Sequence, residues 1–561
     1  MNHATASAAD QSTDFDDPVQ LEIIRGALIA AAEEMSVTIW RTSRSTVVRE
    51  MLDFSTQIFD GDGNAVAQAA RIPVHLNSMS VCLDRIVADF IPLEDWRPGD
   101  VILTNDPYCG GQHLPDFVAF KPVFVGGRRV GIAATIVHHI DVGGGAAGSY
   151  YPAATEVYQE GLRIPPCKVV AGGVPNQAVI DIITQNSREP EQIGGDFASQ
   201  LAAMEIGAQA LDKLARRYGP QALHDAMQAP QNRSDRAMRA MLRDLPDGTY
   251  HFEDYVDDDG ISAEPLKLSC SLTVEGEGCT VDFTGSSPQA TGPVNCTLNM
   301  TTSGVYCALA MLADGAVMAN SGAYRAIAIK AEDGTVVSAR SPAPVANRMA
   351  TGHRLVTTVL GALAQAAPDR VPAAYYGVSY VQTLSTAEPG SGRPRVYFEI
   401  EIGGWGAHPE QDGADAFSAG FHNSSSTPVE LNEAYFPLTF SEYSIIPGSG
   451  GAGRQRGGNG LRRAYRVDAA EGRLSGNFER FTVPPYGLAG GESGRPGRFY
   501  ILRDGKEECL PSKVANKAVS RGDIVVLETA GGGGYGVADD RDAVGSDGVF
   551  AGGLVKARWN A

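Results

Sequence analysis

Three of the ten histidines in this 561-residue chain fall within residues 105–144, NDPYCGGQHLPDFVAFKPVFVGGRRVGIAATIVHHIDVGG, as His113-x-x-Asp116 and His138-His139-x-Asp141. Imidazole nitrogen and carboxylate oxygen are the ligand mixture that borderline divalent metals such as zinc, manganese or iron accept. Pro115 and the Gly110-Gly111 pair disfavour a helix around His113. The HLPD segment is therefore expected as a rigid loop, with proline fixing a turn that makes His113 and Asp116 converge. Residues 130–137 are apolar and rich in Val, Ile and Ala, the pattern of a buried strand that delivers His138 and His139 at its end. Successive strand side chains point to opposite faces, so one of the two faces a given metal and the other holds an outer partner such as Asp141. Local pattern leaves open which is which. Gly143 and Gly144 then open a turn where backbone can approach a substrate. Burial with backbone partners is a fair account of any one of these histidines and a poor account of the cluster.

The flanking elements must position this stretch. A long helix is expected from Asp17-Pro18, a cap followed by proline at the first helical position, with Leu21, Ile24, Leu28, Ala31, Met35 and Ile39 on one stripe. Strands at 53–59 and 65–69 follow, joined by the turn Asp60-Gly61-Asp62-Gly63. His75 comes soon after, as a contact to substrate or a support to a ligand, or equally as a partly buried loop residue. Helices are expected over 189–219 and 221–245, with His224 of the second at the surface. Beyond Gly248 the period changes to two, and residues 266–283 read as an antiparallel hairpin with one wet face. Helical patterns return at 303–312 and 353–366, the latter with His353 near its start. The fold class expected is α+β: a mixed multidomain chain, with an N-terminal α/β metal-bearing half followed by a β-rich, glycine-rich C-terminal half. The expected divisions are a disordered tail at 1–16, a metal-binding α/β domain with a helical pair at 17–245, a mixed α/β domain at 246–440 and a glycine-rich β domain at 441–561.

Composition removes several function classes. A net charge of −20 argues against nucleic acid and against a membrane surface as partners. No apolar run approaches the roughly 18 residues needed to span a bilayer. The polar, acidic start lacks the basic end and apolar core of a signal peptide, so a cytoplasmic location is expected. The eight cysteines show no C-x-x-C spacing and read as reduced thiols in cores, Cys109 within the central motif among them. GSGGAGRQRGGNG (448–460) and GGGGYG (531–536) resemble phosphate cradles at first sight. Neither has the GK[ST] ending of a P-loop nor opens a helix, so both read as tight turns between strands and no nucleotide-binding residue is assigned.

NDPYCGGQHLPD, HHIDVGG and ATEVYQEGLRIPP, with DPVQLEIIRGAL, LDFSTQIFDGDG and RIPVHLNSM before them and VDFTGSSPQATGPVN, GGWGAHPEQDG, GSGGAGRQRGGNGLRR and TAGGGGYG after, resemble the hydantoinase B / 5-oxoprolinase family. Its members are the B-type subunits of ATP-dependent hydantoinases, oxoprolinases, lactamases and ketone carboxylases. The resemblance implies a metal set on His113, Asp116 and His138, with Asp53 of the LDFS segment as a fourth ligand, and zinc, manganese or iron as the metal. His139, Asp141 and His75 are then catalytic or orienting residues. Trp405 and His408, in IGGWGAHPEQDG, line the substrate cavity with Gly143 and Gly144 or the subunit contact, or equally belong to a packed turn. ATP and magnesium belong to an A-type partner subunit, and two copies of each chain make the expected hetero-oligomer. The expected reaction is ATP-dependent opening of a cyclic amide, hydantoin, 5-oxoproline or a related lactam. The alternatives are a carboxylase of the acetone or acetophenone type, a non-catalytic scaffold subunit, and a self-sufficient metallohydrolase that turns over without ATP.

Overall fold

The computed structural model describes residues 18–538 apart from 314, 316, 388, 389 and 419. The expected tail at 1–16, the Asp17 cap and the end of the glycine-rich region past 538 lie outside the described residues. The apolar stripe forms helix α1 (Pro18–Thr42), in which Ile24, Leu28, Met35 and Ile39 are buried and Leu21 partly so. A short α2 (Thr46–Arg49) leads into the hairpin of β1 (Phe54–Asp60) and β2 (Ala65–Gln68). The Asp60 carboxylate accepts the Asp62 and Asn64 amides at 3.0 and 2.8 Å, and Gly63 takes the positive φ, +95°, that closes the turn.

After α3 (Ser78–Asp89) come β3 (Val101–Thr104), β4 (Asp116–Val125) and β5 (Arg128–His138), then β6 (Cys167–Ala171) and β7 (Val174–Pro175). They form one antiparallel sheet in the order β2-β1-β5-β4-β3-β6-β7. The next helices are α4 (Gln177–Gln185), α5 (Pro190–Tyr218) and α6 (Pro220–Arg243), the last two being the expected pair. Strand alternation decides what each face of the sheet covers. Phe54, Ile58, Phe117, Ala119, Ala133 and Val137 share one core with α1, α5 and α6, whereas Phe59, Val118, Phe120, Ile132, Ala134 and Ile136 pack with α3 and Trp96.

The rest of the chain adds β8 (Gly248–Val256), β9 (Leu266–Glu275), β10 (Gly278–Asp282) and β11 (Ile327–Lys330), in the order β11-β10-β9-β8, with the β9–β10 hairpin turning at Gly276 as the alternation predicts. Helices α7 (Leu298–Leu312) and α8 (Arg348–Ala366) pack together, and α8 lies on β8 and β9. Helix α8 begins at Arg348 rather than at His353, which places His353 in its second turn. Residues 348–363 are all buried, and a helix buried all round has no polar stripe to mark where it starts.

Strands β12 (Tyr380–Ala387) and β13 (Pro394–Glu401) precede α9 (Val429–Tyr435), β14 (Leu438–Ile445), β15 (Leu461–Val467) and β16 (Glu471–Asn477), and β17 (Arg498–Arg503), β18 (Lys506–Leu510), β19 (Lys513–Ser520) and β20 (Ile524–Glu528) follow. They build two sheets, β13-β12-β16-β19 and β14-β15-β20-β17-β18. A boundary at 440 would run through β14 and divide the first of these sheets. The two glycine-rich segments pack backbone on backbone: a methyl group at Gly450 would strike the Gly457 carbonyl, and one at Gly531 the Ser449 carbonyl. Among the described residues no helix is long and apolar enough to cross a membrane. All eight cysteines are free thiols, but Cys509 on the edge strand β18 is exposed and Cys167 half-buried, against the expectation that all sit in cores.

Buried charge ties this region together. Arg463 on β15 is fully buried, bonded to Glu401, 3.2 Å from Glu399, and stacked 4.5 Å over the Phe440 ring. Removing one partner of such a group strands the others without solvent. Arg463→Ala is expected to cost about 3–5 kcal/mol of stability, read as an early transition in guanidinium unfolding followed by tryptophan fluorescence; an unchanged midpoint would refute the assignment.

Candidate metal centre

Asp116 opens β4 and His138 closes β5, and the antiparallel register makes them direct partners. Both lie on the face that carries Val118, Phe120, Ala134 and Ile136. Asp53 and Ser55 occupy the same face of β1 as Phe59, and the Asp53 carbonyl accepts the His138 N–H at 3.1 Å. The loop before β4 adds His113. An Asp116 N–H to His113 carbonyl bond of 3.1 Å closes the turn over Leu114-Pro115, so the two side chains converge as the HLPD pattern predicts. His113 Nε2 stands 3.2 Å from Asp116 Oδ1, and the His113 and His138 ring centroids are 4.9 Å apart. Ligand atoms of His113, Asp116 and His138 all lie within 4.8 Å of one another, and all three residues are buried.

The trio is unsatisfied as it stands. Both ring nitrogens of His113 and of His138, together with Asp116 Oδ1, have no hydrogen-bond partner; the 3.2 Å approach is not aligned as a hydrogen bond. Buried polar atoms left unpaired are costly, and one atom from each of the three side chains can converge on a single cation. Burial, helped by the Arg348 charge, pushes His113 down to about 4, and burial holds His138 well below its usual value. Burial alone would raise the Asp116 carboxyl, but the charges of His113 and Arg348 prevail and hold it low. Near pH 7 the trio therefore offers two neutral imidazoles and one carboxylate, the protonation states that metal binding requires. Burial and the neighbouring Asp116 charge raise Asp53 to about 7. Asp53 lies in the field of Asp116 but outside the tight trio.

Arg348, at the start of α8, donates to Asp116 Oδ2 at 2.9 Å and to the Tyr150 hydroxyl at 3.4 Å. Sequence reasoning missed Arg348 and Tyr150. Arg348 stands 232 positions from Asp116, and its one local signal was a charged residue beside an apolar helical run. It also missed His422, which is buried with Nε2 at 3.0 Å from the Ser424 hydroxyl and its ring 6.2 Å from His353.

Other expected residues fall elsewhere. His139 points to the opposite face, 4.3 Å from the Phe117 ring, as alternation demands. Asp141 is not its partner. It accepts the Gly143 and Gly148 amides at 2.9 and 3.0 Å and the Arg188 guanidinium at 2.9 Å, which fixes the glycine turn. Gly143 and Gly144 have positive φ, but a methyl group at Gly143 would meet the Asn186 carbonyl at 2.9 Å and one at Gly144 the Glu160 backbone, so this chain itself fills the approach expected for substrate. His75 is buried, its Nδ1 2.9 Å from the Ser55 hydroxyl. Trp405 stacks on Tyr375 at 4.5 Å and donates to His408 Nε2 at 3.4 Å, while the Tyr375 hydroxyl meets His353 Nδ1 at 2.9 Å. His224 is partly exposed, 3.8 Å from Asp62. A surface cleft of about 390 Å³ lined by Gly61, Trp96, Arg97 and Arg129 holds no histidine. It sits at the other end of β5, roughly 30 Å along the strand from His138.

A family model described as hydantoinase B/oxoprolinase matches residues 17–538. The putative B-type subunit of a D-/L-hydantoinase from Pseudomonas sp. (strain NS671) is 32% identical over 543 residues, covering 93% of this chain and 90% of the relative. The crystal structure of an ATP-dependent caprolactamase from Pseudomonas jessenii superposes with a TM-score of 0.87 at 32% identity, over 93% of this chain and 92% of that one. A nucleotide-free acetone carboxylase aligns with a TM-score of 0.85 at 17% identity, over 93% of this chain and 76% of that one, a likeness of fold.

The outlying histidines have a measurable consequence. Burial lowers His422 to about 3, and burial with the nearby His422 charge lowers His353 well below 6.5. A base whose folded value is depressed contributes stability that is whole above its unfolded value and is lost as pH falls through 6.5 toward the folded one. The apparent melting temperature should therefore decline as pH drops below 6.5, and His353→Gln should reduce that slope in calorimetry at constant ionic strength. An identical slope in the variant would contradict the buried, neutral assignment.

Proposed function

The chain belongs to the hydantoinase B/oxoprolinase family, and from that premise we propose that it is the metal-binding B-type subunit of an ATP-dependent enzyme that opens a cyclic amide such as hydantoin, 5-oxoproline or a related lactam. The observation that carries the reading is the buried trio of His113, Asp116 and His138, which offers one ligand atom from each residue and whose ring nitrogens and Asp116 Oδ1 have no hydrogen-bond partner. Two imidazoles and a carboxylate, with Asp53 beside them, fit one borderline divalent cation, zinc before manganese or iron. Such a cation supplies Lewis-acid polarisation of the amide carbonyl.

The remaining work falls to this chain's own side chains. Arg348 holds Asp116 through Oδ2 and leaves Oδ1 toward the trio, and Tyr150 braces Arg348 in turn. Asp53, whose carbonyl accepts the His138 N–H, lies in the field of Asp116 and is the candidate fourth ligand. Burial of all these groups keeps bulk water from the reacting amide, so each charge acts more strongly. Hydrolysis of an unstrained five-membered cyclic amide is unfavourable, so an A-type partner carrying ATP and magnesium phosphorylates the carbonyl oxygen with release of ADP; water then adds to that carbon, the ring C–N bond breaks with the proton going to nitrogen, and phosphate leaves. The tight packing of the two glycine-rich segments against each other supports a nucleotide site on that partner rather than here. Relatives named as one subunit of an enzyme support assembly with a second chain, and two copies of each is the arrangement we adopt.

The test uses this chain purified with its co-expressed A-type partner. The wild type should hold about one equivalent of metal per chain by elemental analysis and hydrolyse hydantoin or 5-oxoproline with ATP. His113→Ala and His138→Ala should lose metal and activity together, at least about tenfold, while His139→Gln keeps its metal. A wild-type complex that turns over with no metal would sink the reading.

A further inference from the structure

The motif ATEVYQEGLRIPP has no part in the metal reading, yet its residues 157–164 are bonded to every element that carries the trio. Toward the loop of His113, the Asn105 side-chain nitrogen donates to the Leu114 carbonyl at 2.7 Å and to the Leu162 carbonyl at 2.8 Å, while its oxygen accepts the Ile164 N–H at 2.6 Å. Toward the turn after His138, the Leu162 N–H donates to the Val142 carbonyl at 2.8 Å, and the Gly145 N–H to the Gln159 carbonyl at 2.9 Å. Between these two anchors stands Glu160. Its side chain reaches the third element, the approach to α8, where Oε1 accepts the Val345 and Ala346 N–H groups at 2.7 Å each. The Val157 N–H donates to the Pro342 carbonyl at 2.8 Å, and the Tyr108 hydroxyl to the Ala343 carbonyl, so the same approach is held at four successive points.

The two amides that Glu160 holds come just before Arg348. The Arg348 N–H closes a turn on the Val345 carbonyl at 3.0 Å, and the Arg348 guanidinium donates to Asp116 Oδ2 at 2.9 Å. Glu160, Val345, Ala346 and Arg348 are all almost wholly buried, so loss of the acceptor would strand two amides away from bulk water. The turn would then move to find other partners, and Arg348 with it. Glu160 performs this without its charge. Burial raises its carboxyl to about 8, and Oε2 has no partner. A neutral acid with its proton on Oε2 still accepts both amides through Oε1.

We propose that Glu160 is a positioning residue for the metal trio: it fixes the turn at Val345 and Ala346 from which Arg348 reaches Asp116, and so sets the angle at which that carboxylate faces a cation. This rests on the metal reading above. Partners that orient a ligand from outside the metal shell govern how tightly the metal is held, and Glu160 acts one step further out, through Arg348.

The experiment is the zinc affinity of the complex with the A-type partner, measured by competition with a chromogenic chelator. Glu160→Asp keeps an acid but is too short to reach both amides, whereas Glu160→Gln keeps the reach and an oxygen acceptor. Glu160→Ala and Glu160→Asp should each weaken zinc binding about tenfold or more, and Glu160→Gln should stay within about twofold of the wild type. In a chain already carrying Arg348→Gln, Glu160→Ala should change the affinity by less than about twofold, because the residue it acts through is gone. Should the alanine chain fail to fold, Glu160→Asp against Glu160→Gln, with and without Arg348→Gln, carries the same comparison. Wild-type affinity in the alanine and aspartate variants, an equal loss in Glu160→Gln, or a full loss that persists beside Arg348→Gln overturns the proposal. A wild-type complex that takes up no zinc overturns the functional reading and this proposal together. The expected affinities without ATP-dependent ring opening of any cyclic amide overturn only the reaction assigned above and leave Glu160 its role.

Discussion

The pairing of Asp116 with His138 across two neighbouring antiparallel strands is the constraint from which the rest of the site follows. Side chains of directly opposed residues stand on the same face at contact distance, and a slip of one position would turn one of them to the other core. Apolar residues on both faces of the sheet hold that register, Phe117 and Val137 on one side and Val118 and Ile136 on the other. The hydrophobic pattern that folds the sheet is therefore the same feature that aims Asp116 and His138 at each other.

Burial then sets their chemistry. With His113, Asp116 and His138 out of water, the imidazoles stay neutral and the carboxylate stays charged because Arg348 reaches it. A buried, unbalanced charge would be intolerable, and the guanidinium that balances it comes from α8. The candidate centre is thus completed across the molecule: ligand-type side chains from the N-terminal sheet and a counter-charge from α8. The buried ion networks around Arg463 and Arg354 use the same device, the first joining β15 to β13 and the second α8 to β8.

Much of this organisation was legible in the chain. The stripe of α1, the β1–β2 hairpin, the α5–α6 pair and the β9–β10 hairpin follow from apolar spacing and turn residues, and the α+β class follows from them. Spacing also picked out His113, Asp116 and the His138-His139 pair, since proline and strand alternation act locally. The start of α8 was misplaced because a fully buried helix has no amphipathic period to read.

What the sequence by itself determined is the set of donors and the local geometry that presents them: which residues alternate, which loop is rigid, which side chains are ligand types. What only the tertiary structure decided is which neighbours those donors meet. It set His138, and not His139, beside His113 and Asp116, gave Asp141 to Arg188 instead of to a histidine, closed the turn at Gly143 and Gly144 against Asn186 and Glu160, and brought Arg348 and Tyr150 to the trio. The physical reason is range. Proline, glycine and strand periodicity act over a few residues, whereas a counter-charge 232 positions away is selected by packing and by the cost of leaving Asp116 unpaired, and neither leaves a mark in local spacing.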